Sequence, residues 1–176
     1  MIVTNGFEEV ETVGTYGILR RGGLTVDVYS LRGEKATGRF GLTCCELKSF
    51  ADFSDDNYTA IILPGGPQYQ ELENTPRVLQ LLQDFYTRGK YVCAICASPT
   101  ILGHLGMLKG KKYTCFTSMN EDFGGTYCDD YAVADGQIIT GKSAAAAIDF
   151  GFAILQALLG KEAANTTKAD IYYKNN

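Results

Sequence analysis

The sequence predicts an α/β fold in which helices cover a mostly parallel β-sheet. Short apolar segments with the spacing of strands alternate along the chain with segments of helical periodicity, and this order is typical of such folds. Length and composition agree, because 176 residues with 45% apolar and 20% charged residues suffice for one hydrophobic core. No linker, repeat or low-complexity segment interrupts the pattern, so we expect a single domain over residues 1–176.

The first half of the chain is predicted to contain one helix among several extended segments. Residues 2–5 form a short apolar strand, and residues 8–21 carry apolar side chains at helical spacing up to a stop at Gly22 and Gly23. Residues 24–31 alternate as a strand does, and residues 39–47 are a second extended segment. A strand, a helix and two further extended segments are therefore expected in this order.

The second half is predicted to contribute the centre of the sheet. Residues 59–63 and 91–95 are continuous apolar runs typical of buried parallel strands. Pro76 opens a helix that extends to residue 88, because proline is tolerated in the first helical turn. The remaining predicted elements are a helix over 98–105 ended by Gly106, strands within 112–116 and 131–140, and an apolar helix over 143–159 stopped by Gly160.

Charge and cysteine content exclude several classes of protein. A net charge of −4 without a basic cluster argues against a nucleic-acid partner or an anionic membrane surface. No apolar run approaches about 18 residues, and no secretory signal precedes the first strand, so we expect a cytoplasmic protein without a membrane span. Six cysteines with one histidine favour reduced thiols over disulfides or a metal site.

Cys96 is the candidate nucleophile. An apolar strand ends at this residue and a helix begins at once with small residues, which is the pattern of a nucleophile elbow. The amino terminus of that helix would favour the thiolate. The alternative is a small, inert core residue, since free cysteines are often buried. A redox pair with Cys93 is disfavoured, because an offset of three in a strand points two side chains to opposite faces.

Three carboxylates stand at the start of the first helix, at Glu8, Glu9 and Glu11. They either complement the helix dipole or supply an acid/base group at the carboxyl edge of the sheet. Glu8 and Glu11 share a helix face, whereas Glu9 points elsewhere. A carboxyl beside a thiolate would have a raised pKa, because charge repulsion and burial both favour its neutral form.

Pro64, Gly65 and Gly66 follow a predicted central strand, where α/β sheets place ligand-binding loops. Glycines allow backbone amides to approach a developing oxyanion. The alternative is an ordinary turn, and this motif alone is weak.

Three motifs taken together resemble those of the ThiJ/PfpI superfamily. They are the Gly-Phe-Glu-Glu-Val-Glu start, the Leu-Pro-Gly-Gly loop and the Ala-Ile-Cys-Ala-Ser-Pro elbow. The branch they resemble contains the parkinsonism-associated deglycase and its bacterial relatives, and the likeness extends over nearly the whole chain. It implies a flavodoxin-like three-layer sandwich and a homodimer. The resemblance implies these roles by position: Cys96 as nucleophile, Glu11 as protonated partner, Gly65, Gly66 and Ala97 in the oxyanion pocket, Arg21 and Arg39 near it, and Cys44 near the dimer interface.

Two positions depart from the pattern of this superfamily. Ala97 stands where the protease-like branch has a histidine, and Phe116 stands where a histidine often approaches the cysteine. The sole histidine, His104, is two helical turns beyond Cys96, or about 12 Å along the axis, and is expected to be a surface or packing residue. A Cys–His–acid triad for acyl transfer is therefore disfavoured.

The hypothesis that fits the groups present is chemistry on small reactive carbonyls, such as methylglyoxal or early glycated adducts. It requires one nucleophile, one acid/base group and an oxyanion pocket, and no metal, nucleotide, glutathione or other cofactor. The alternative from another class is a non-catalytic redox sensor or holdase chaperone with the same cysteine. An amidase or peptidase is weakened by the missing histidine, and the thiazole monophosphate label given to some relatives has no phosphate loop to support it here.

Overall fold

The structure, a computed structural model, describes residues 1–54 and 57–174 and contains short strands and six α-helices in that part of the chain. The strands are β1 (Ile2–Val3), β2 (Tyr29–Ser30), β3 (Ala36–Thr37), β4 (Thr43–Cys44), β5 (Lys48–Ser49), β6 (Ala60–Leu63), β7 (Tyr91–Ile95), β8 (Lys112–Tyr113), β9 (Thr126–Tyr127), β10 (Ala132–Asp135) and β11 (Ile138–Gly141). The helices are α1 (Thr15–Arg21), α2 (Tyr69–Glu73), α3 (Pro76–Thr87), α4 (Pro99–His104), α5 (Ala147–Leu159) and α6 (Lys161–Asp170).

Two neighbouring sheets form the centre of the molecule. One has the order β1-β2-β5 and the other β10-β11-β7-β6, and β1 contacts β6 where they meet. Every neighbouring pair in both sheets is parallel except β10 with β11. The predicted mostly parallel sheet is confirmed. The prediction that residues 1–176 form one domain stays a prediction.

Helices pack on both faces of these sheets, as the alternating side chains of β7 show. Val92 and Ala94 enter a core with residues of α3 and α4, whereas Cys93 and Ile95 enter a second core with residues of α1 and α5. The arrangement is the predicted three-layer sandwich. Cys93 is fully buried in the second core, as expected of a packing residue.

Several predicted elements differ in extent from those observed. Only Tyr29–Ser30 of the predicted strand over 24–31 enters the β-ladder, because its partner β1 has two residues before the chain turns at Gly6 with a φ of 86°. Residues 131–140 are not one strand, since Gly136 turns the chain between β10 and β11 with a φ of 63°. The extended segment 39–47 begins as the turn of the β3–β4 hairpin.

Helices depart from the prediction in three places. The first helix starts with a π-helical turn at Val10–Gly14 before α1. The short helix α2 and the polar helix α6 were not predicted, because neither carries an apolar face that stands out along the sequence. No helix in the described ranges is long and apolar enough to cross a membrane.

The carboxyl ends of the central strands meet at one edge of the sheet. Leu63 is opposite Ala94, and Gly141 is opposite Ile95, so the segments that follow β6, β7 and β11 emerge together. Loops at this edge are the usual ligand-binding loops of parallel α/β sheets. The Gly65 loop and Cys96 therefore lie side by side.

Candidate active site

Cys96 occupies a sharp turn between β7 and α4. Its φ is 65°, in the left-handed region that residues with a side chain rarely adopt. Two backbone hydrogen bonds fix the turn, since the amide of Cys96 donates to Gly141 at 2.9 Å and its carbonyl accepts from Phe116 at 2.8 Å. The structure thus has the strand–turn–helix geometry predicted for a nucleophile elbow.

The loop after β6 is fastened to this elbow through the carbonyl of Pro64. That oxygen accepts a hydrogen bond from the Ser98 hydroxyl at 2.7 Å and another from the Gln68 side-chain amide at 2.9 Å. Gln68 in turn accepts from the backbone of Thr4 at 2.7 Å. Sequence reasoning missed Ser98 and Gln68, although a serine before a proline that opens a helix is a recognisable signal at the first of these positions.

Both glycines of the loop are required because neighbouring atoms leave no room for a side chain. A Cβ on Gly65 would lie 2.6 Å from the Cβ of Cys96 and 2.6 Å from Oε2 of Glu11. A Cβ on Gly66, whose φ is 87°, would lie 2.5 Å from the carbonyl oxygen of Gly6. The glycines therefore let this loop enter the space between the elbow and the first helix.

Glu11 reaches the elbow from the π-helical turn. Its side chain is fully buried, and Oε2 accepts a hydrogen bond from the amide of Gly65 at 2.8 Å. The amide of Glu11 donates to Oε2 of Glu8 at 2.8 Å, which holds the turn. Oε1 is buried and accepts no hydrogen bond from the described residues. A buried carboxylate oxygen without a donor is costly, so Oε1 is the atom at which a proton is stabilised.

The electrostatics of Glu11 agree with the prediction of a neutral carboxyl. The pKa of Glu11 is raised from 4.5 to about 7, chiefly by burial, and the nearby charge of Glu8 acts in the same direction. Hydrogen bonds from the Cys96 thiol and the Gly65 amide, together with the charge of Arg39, act in the opposite direction. Burial is the largest of these effects, so much of the Glu11 population keeps its proton up to neutral pH.

Cys96 is half-buried, and its electrostatics correct the expectation that the helix terminus alone favours a thiolate. Burial raises the pKa of the Cys96 thiol, and a negative charge on Glu11 raises it further. The amides of Ala97 and Gly66 lower it without outweighing burial. Because the Glu11 carboxyl is one of the groups that raise the pKa of the thiol, a proton on Glu11 favours the thiolate and an ionised Glu11 disfavours it.

The two arginines assigned to the pocket lie in different places. Arg39 is near the site, because its charge lowers the pKa of Glu11, and its guanidinium lies 4.7 Å from the ring centroid of Phe40. Arg21 is at the far end of α1, where it lines a groove with Leu159 and Glu162. Within a single chain Arg21 therefore does not reach Cys96, because the length of α1 separates Arg21 from Glu11.

The structure locates the two residues that bear on a possible Cys–His pair, Phe116 and His104. Phe116 donates its amide to the Cys96 carbonyl, and its side chain is 44% exposed beside the elbow. His104 ends α4 on the surface and contacts Glu73 and Glu121, so it is not a partner of the thiol. Among residues 1–54 and 57–174, no three His, Cys, Asp or Glu side chains are arranged to hold a metal ion.

The arrangement places one thiol, one buried carboxyl with a raised pKa and two backbone amides around a single point. A thiolate at Cys96 can attack an electrophilic carbon, and the amides of Gly66 and Ala97 can stabilise negative charge beside it. Oε1 of Glu11 can give or take a proton at the same point.

Comparison with known proteins finds the same family throughout. The family model described as DJ-1/PfpI matches residues 1–157. The glutathione-independent glyoxalase DJR-1.2 of Caenorhabditis elegans is 30% identical over 90% of this chain and 87% of its own. The deglycase PfpI of Pyrococcus furiosus is 29% identical over 78% of this chain and 85% of its own. The crystal structure of Drosophila melanogaster DJ-1beta superposes with a TM-score of 0.91, at 29% identity, over 99% of this chain and 96% of its own.

Proposed function

The chain belongs to the DJ-1/PfpI family, also written ThiJ/PfpI, and we propose that it is a cysteine-dependent glyoxalase or deglycase that needs neither glutathione nor metal. The substrates would be methylglyoxal and early glycated adducts. The observation that carries the proposal is the fully buried Glu11 carboxyl against the thiol at the Cys96 elbow. Relatives named glyoxalase and deglycase support this type of activity.

In the first step the Cys96 thiolate attacks the aldehyde carbon of methylglyoxal. A carbon–sulfur bond forms, and the carbonyl electron pair moves to oxygen, where the amides of Gly66 and Ala97 stabilise it. That oxygen takes the proton held on Glu11, which gives a hemithioacetal and leaves Glu11 ionised. A raised pKa suits this role, because the carboxyl carries a proton to donate near neutral pH.

In the second step ionised Glu11 removes the hydrogen of the former aldehyde carbon as a proton and returns it to the neighbouring carbon, while the hydroxyl proton on the first carbon moves to the oxygen of the second. The first carbon is thereby oxidised to a thioester and the second is reduced from a ketone to an alcohol, so no external oxidant is required. Water then attacks the acyl carbon and the carbon–sulfur bond breaks, which releases lactate and the thiolate. Of the two protons set free, one returns to Glu11 and the other passes to solvent. With an early glycated adduct, the same attack by Cys96 would begin release of the amine.

The test is lactate formation from methylglyoxal by the wild type and by the Cys96→Ser variant, without glutathione. We expect lactate from the wild type only. Normal turnover by Cys96→Ser, or no lactate from a folded wild type, would overturn the proposal. The same assay with a metal chelator tests metal independence, and we expect the wild type to form lactate at an unchanged rate.

The alternative is a redox sensor or chaperone without turnover. The half-buried Cys96 thiol remains accessible to a small oxidant, and the amides of Gly66 and Ala97 could stabilise the oxygens of a sulfinic acid. Mass spectrometry after peroxide treatment would show Cys96 oxidised before the other cysteines. Lactate formation distinguishes the two functions, because a sensor would be oxidised without producing it. An amidase or peptidase has no support from a histidine near Cys96.

We also propose a homodimer in the cytoplasm, formed through the outer side of the first helix. Val10, Val13 and Leu42 are 54%, 47% and 49% exposed, although their side chains are apolar. Val13 and Tyr16 line a groove with Cys44 and Leu47, in which apolar surface predominates. A second copy that covers this face would bury these side chains, and Cys44 would then lie at the interface.

A further inference from the structure

His104 joins three segments that meet again at Cys96. Its Nδ1 atom contacts Oε1 of Glu73 on α2, and its Nε2 atom contacts Oε2 of Glu121 at 3.3 Å in the segment after Phe116. His104 itself ends α4. A single imidazole therefore contacts both neighbouring segments.

Each of the three segments carries one part of the site. Helix α2 follows the loop of Gly66, whose amide faces the thiol. Helix α4 follows the Cys96 elbow directly. Glu121 lies a few residues after Phe116, whose amide donates to the Cys96 carbonyl at 2.8 Å. Movement of any of these segments would displace a group that contacts Cys96.

Only a protonated ring can make both contacts as donor. A neutral imidazole has one N–H and one lone pair, so one of two carboxylates would face the lone pair. The hydrogen bond with Glu73, followed by that with Glu121, raises the pKa of His104. The two carboxylate contacts therefore favour the imidazolium, and deprotonation at higher pH would release one carboxylate.

The other carboxylates of these segments have partners of their own. Helix α4 carries no other ionisable side chain. Glu71 on α2 pairs with Arg32 at 2.9 Å, and Asp122 accepts from the amide of Gly124 at 3.0 Å. Glu73 and Glu121 contact the ring directly, so the titration of His104 acts first on these two carboxylates.

We propose that protonated His104 is a positioning residue for the Cys96 site, which it holds in place through its contacts with Glu73 and Glu121. The segment around Glu121 would stay folded when the contact is lost, because the Phe123 ring packs against Gly103 of α4 and the Tyr113 hydroxyl donates to Asn120 at 2.6 Å. Loss of the contact would therefore change the reactivity of Cys96 rather than unfold the protein. This role concerns the thiol and holds for any electrophile that the thiol attacks.

The Glu121→Gln variant separates positioning from mere packing. Its side-chain amide can donate to a neutral Nε2 atom, so both contacts of His104 would survive deprotonation. The His104→Leu variant removes both contacts at every pH. The matched control is Glu34→Gln, which neutralises an exposed carboxylate in the connection between β2 and β3.

The measurement combines NMR with alkylation of Cys96. Because His104 is the only histidine, its ring resonances report its titration without assignment variants. The rate of Cys96 alkylation by iodoacetamide, followed by mass spectrometry, is compared between variants at equal pH, so that the variants differ only in how His104 positions the groups around the thiol. Circular dichroism confirms that each variant is folded at each pH.

We expect the wild type and Glu121→Gln to react alike below the NMR midpoint. About two pH units above it, the wild type should react about two- to fivefold more slowly than Glu121→Gln, a size typical of half-exposed ion pairs. His104→Leu should show the lower rate at both pH values, and Glu34→Gln should follow the wild type. If the ratio of the wild-type alkylation rate to that of Glu121→Gln does not change with pH, the proposed role of His104 is overturned. If the pattern appears while the wild type forms no lactate, the proposed function fails and the role of His104 stands.

Discussion

The buried carboxyl of Glu11 lies against the thiol of Cys96, and the two groups compete for protons. Burial raises the pKa of Glu11 to about 7. Burial and the charge of Glu11 raise the pKa of Cys96. The pair therefore carries one negative charge over a wide pH range, and the position of its proton decides whether the sulfur is nucleophilic.

Replacing Glu11 by glutamine should separate thiolate formation from proton transfer. The substitution removes the negative charge that raises the pKa of Cys96 and leaves an N–H donor that can face the sulfur. We expect thiolate absorbance in the ultraviolet to appear at lower pH than in the wild type, whereas lactate formation should be lost. The Cys96→Ser variant gives the background from the other cysteines. An unchanged thiolate midpoint, or normal turnover, would contradict this account.

Glu11 should also make stability depend on pH. Its pKa is raised on folding from 4.5 to about 7, so the folded state binds the proton more tightly than the unfolded state. The stabilising contribution is fully present below pH 4.5 and is lost as the pH rises through about 7. The loss should amount to about 2–3 kcal/mol, or a fall in Tm of about 5 °C or more.

The measurement is thermal unfolding of Cys96→Ser and of Cys96→Ser combined with Glu11→Gln, at several pH values between the two pKa values. Using the serine background keeps thiol ionisation out of the comparison. The difference in Tm between the two proteins should shift steadily in favour of the glutamine variant as the pH rises. A constant difference would mean that folding leaves the pKa of Glu11 unchanged.

The sequence predicted the elbow at Cys96 and the neighbouring glycine loop because both depend on local chemistry. An apolar strand that runs into small residues admits few turns, and Gly65 and Gly66 are needed where two backbones approach. The position of Arg21 could not be predicted in this way, since it depends on the direction of α1 relative to the sheet. Nor could the pKa of Cys96, because the burial that dominates it is created by packing.

The helices show the same limit. Helix α3 was predictable from Pro76 and its apolar face, whereas α6 has the polar sequence KEAANTTKAD and is fixed by contacts with α5. The two carboxylates on His104 also come from distant segments. Nothing in the sequence near residue 104 indicates them.

The proposed dimer interface can be tested at Val13. A charge at this position would be desolvated if a second copy covers it, so Val13→Asp should shift the protein from dimer to monomer in light scattering. The matched control is Leu159→Asp, because Leu159 is 45% exposed at the end of α5, outside the groove of Val13. A monomeric wild type at micromolar concentration would exclude the dimer. Equal dissociation by both variants would place the interface elsewhere.

Gly65→Ala should inactivate the protein by separating the two groups of the site. The added methyl group would lie 2.6 Å from both the Cys96 Cβ and the Glu11 Oε2 atom, so one of them must move and the hydrogen bond from the Gly65 amide must lengthen. We expect lactate formation and Cys96 alkylation to fall by about tenfold or more, because displacements of this size misalign reacting groups. Gly17→Ala is the control, since a Cβ there meets nothing within 4 Å and an alanine within α1 should slightly stabilise the helix. Wild-type rates in Gly65→Ala would mean that Glu11 and Cys96 do not act together, and equal losses in both variants would attribute the effect to folding.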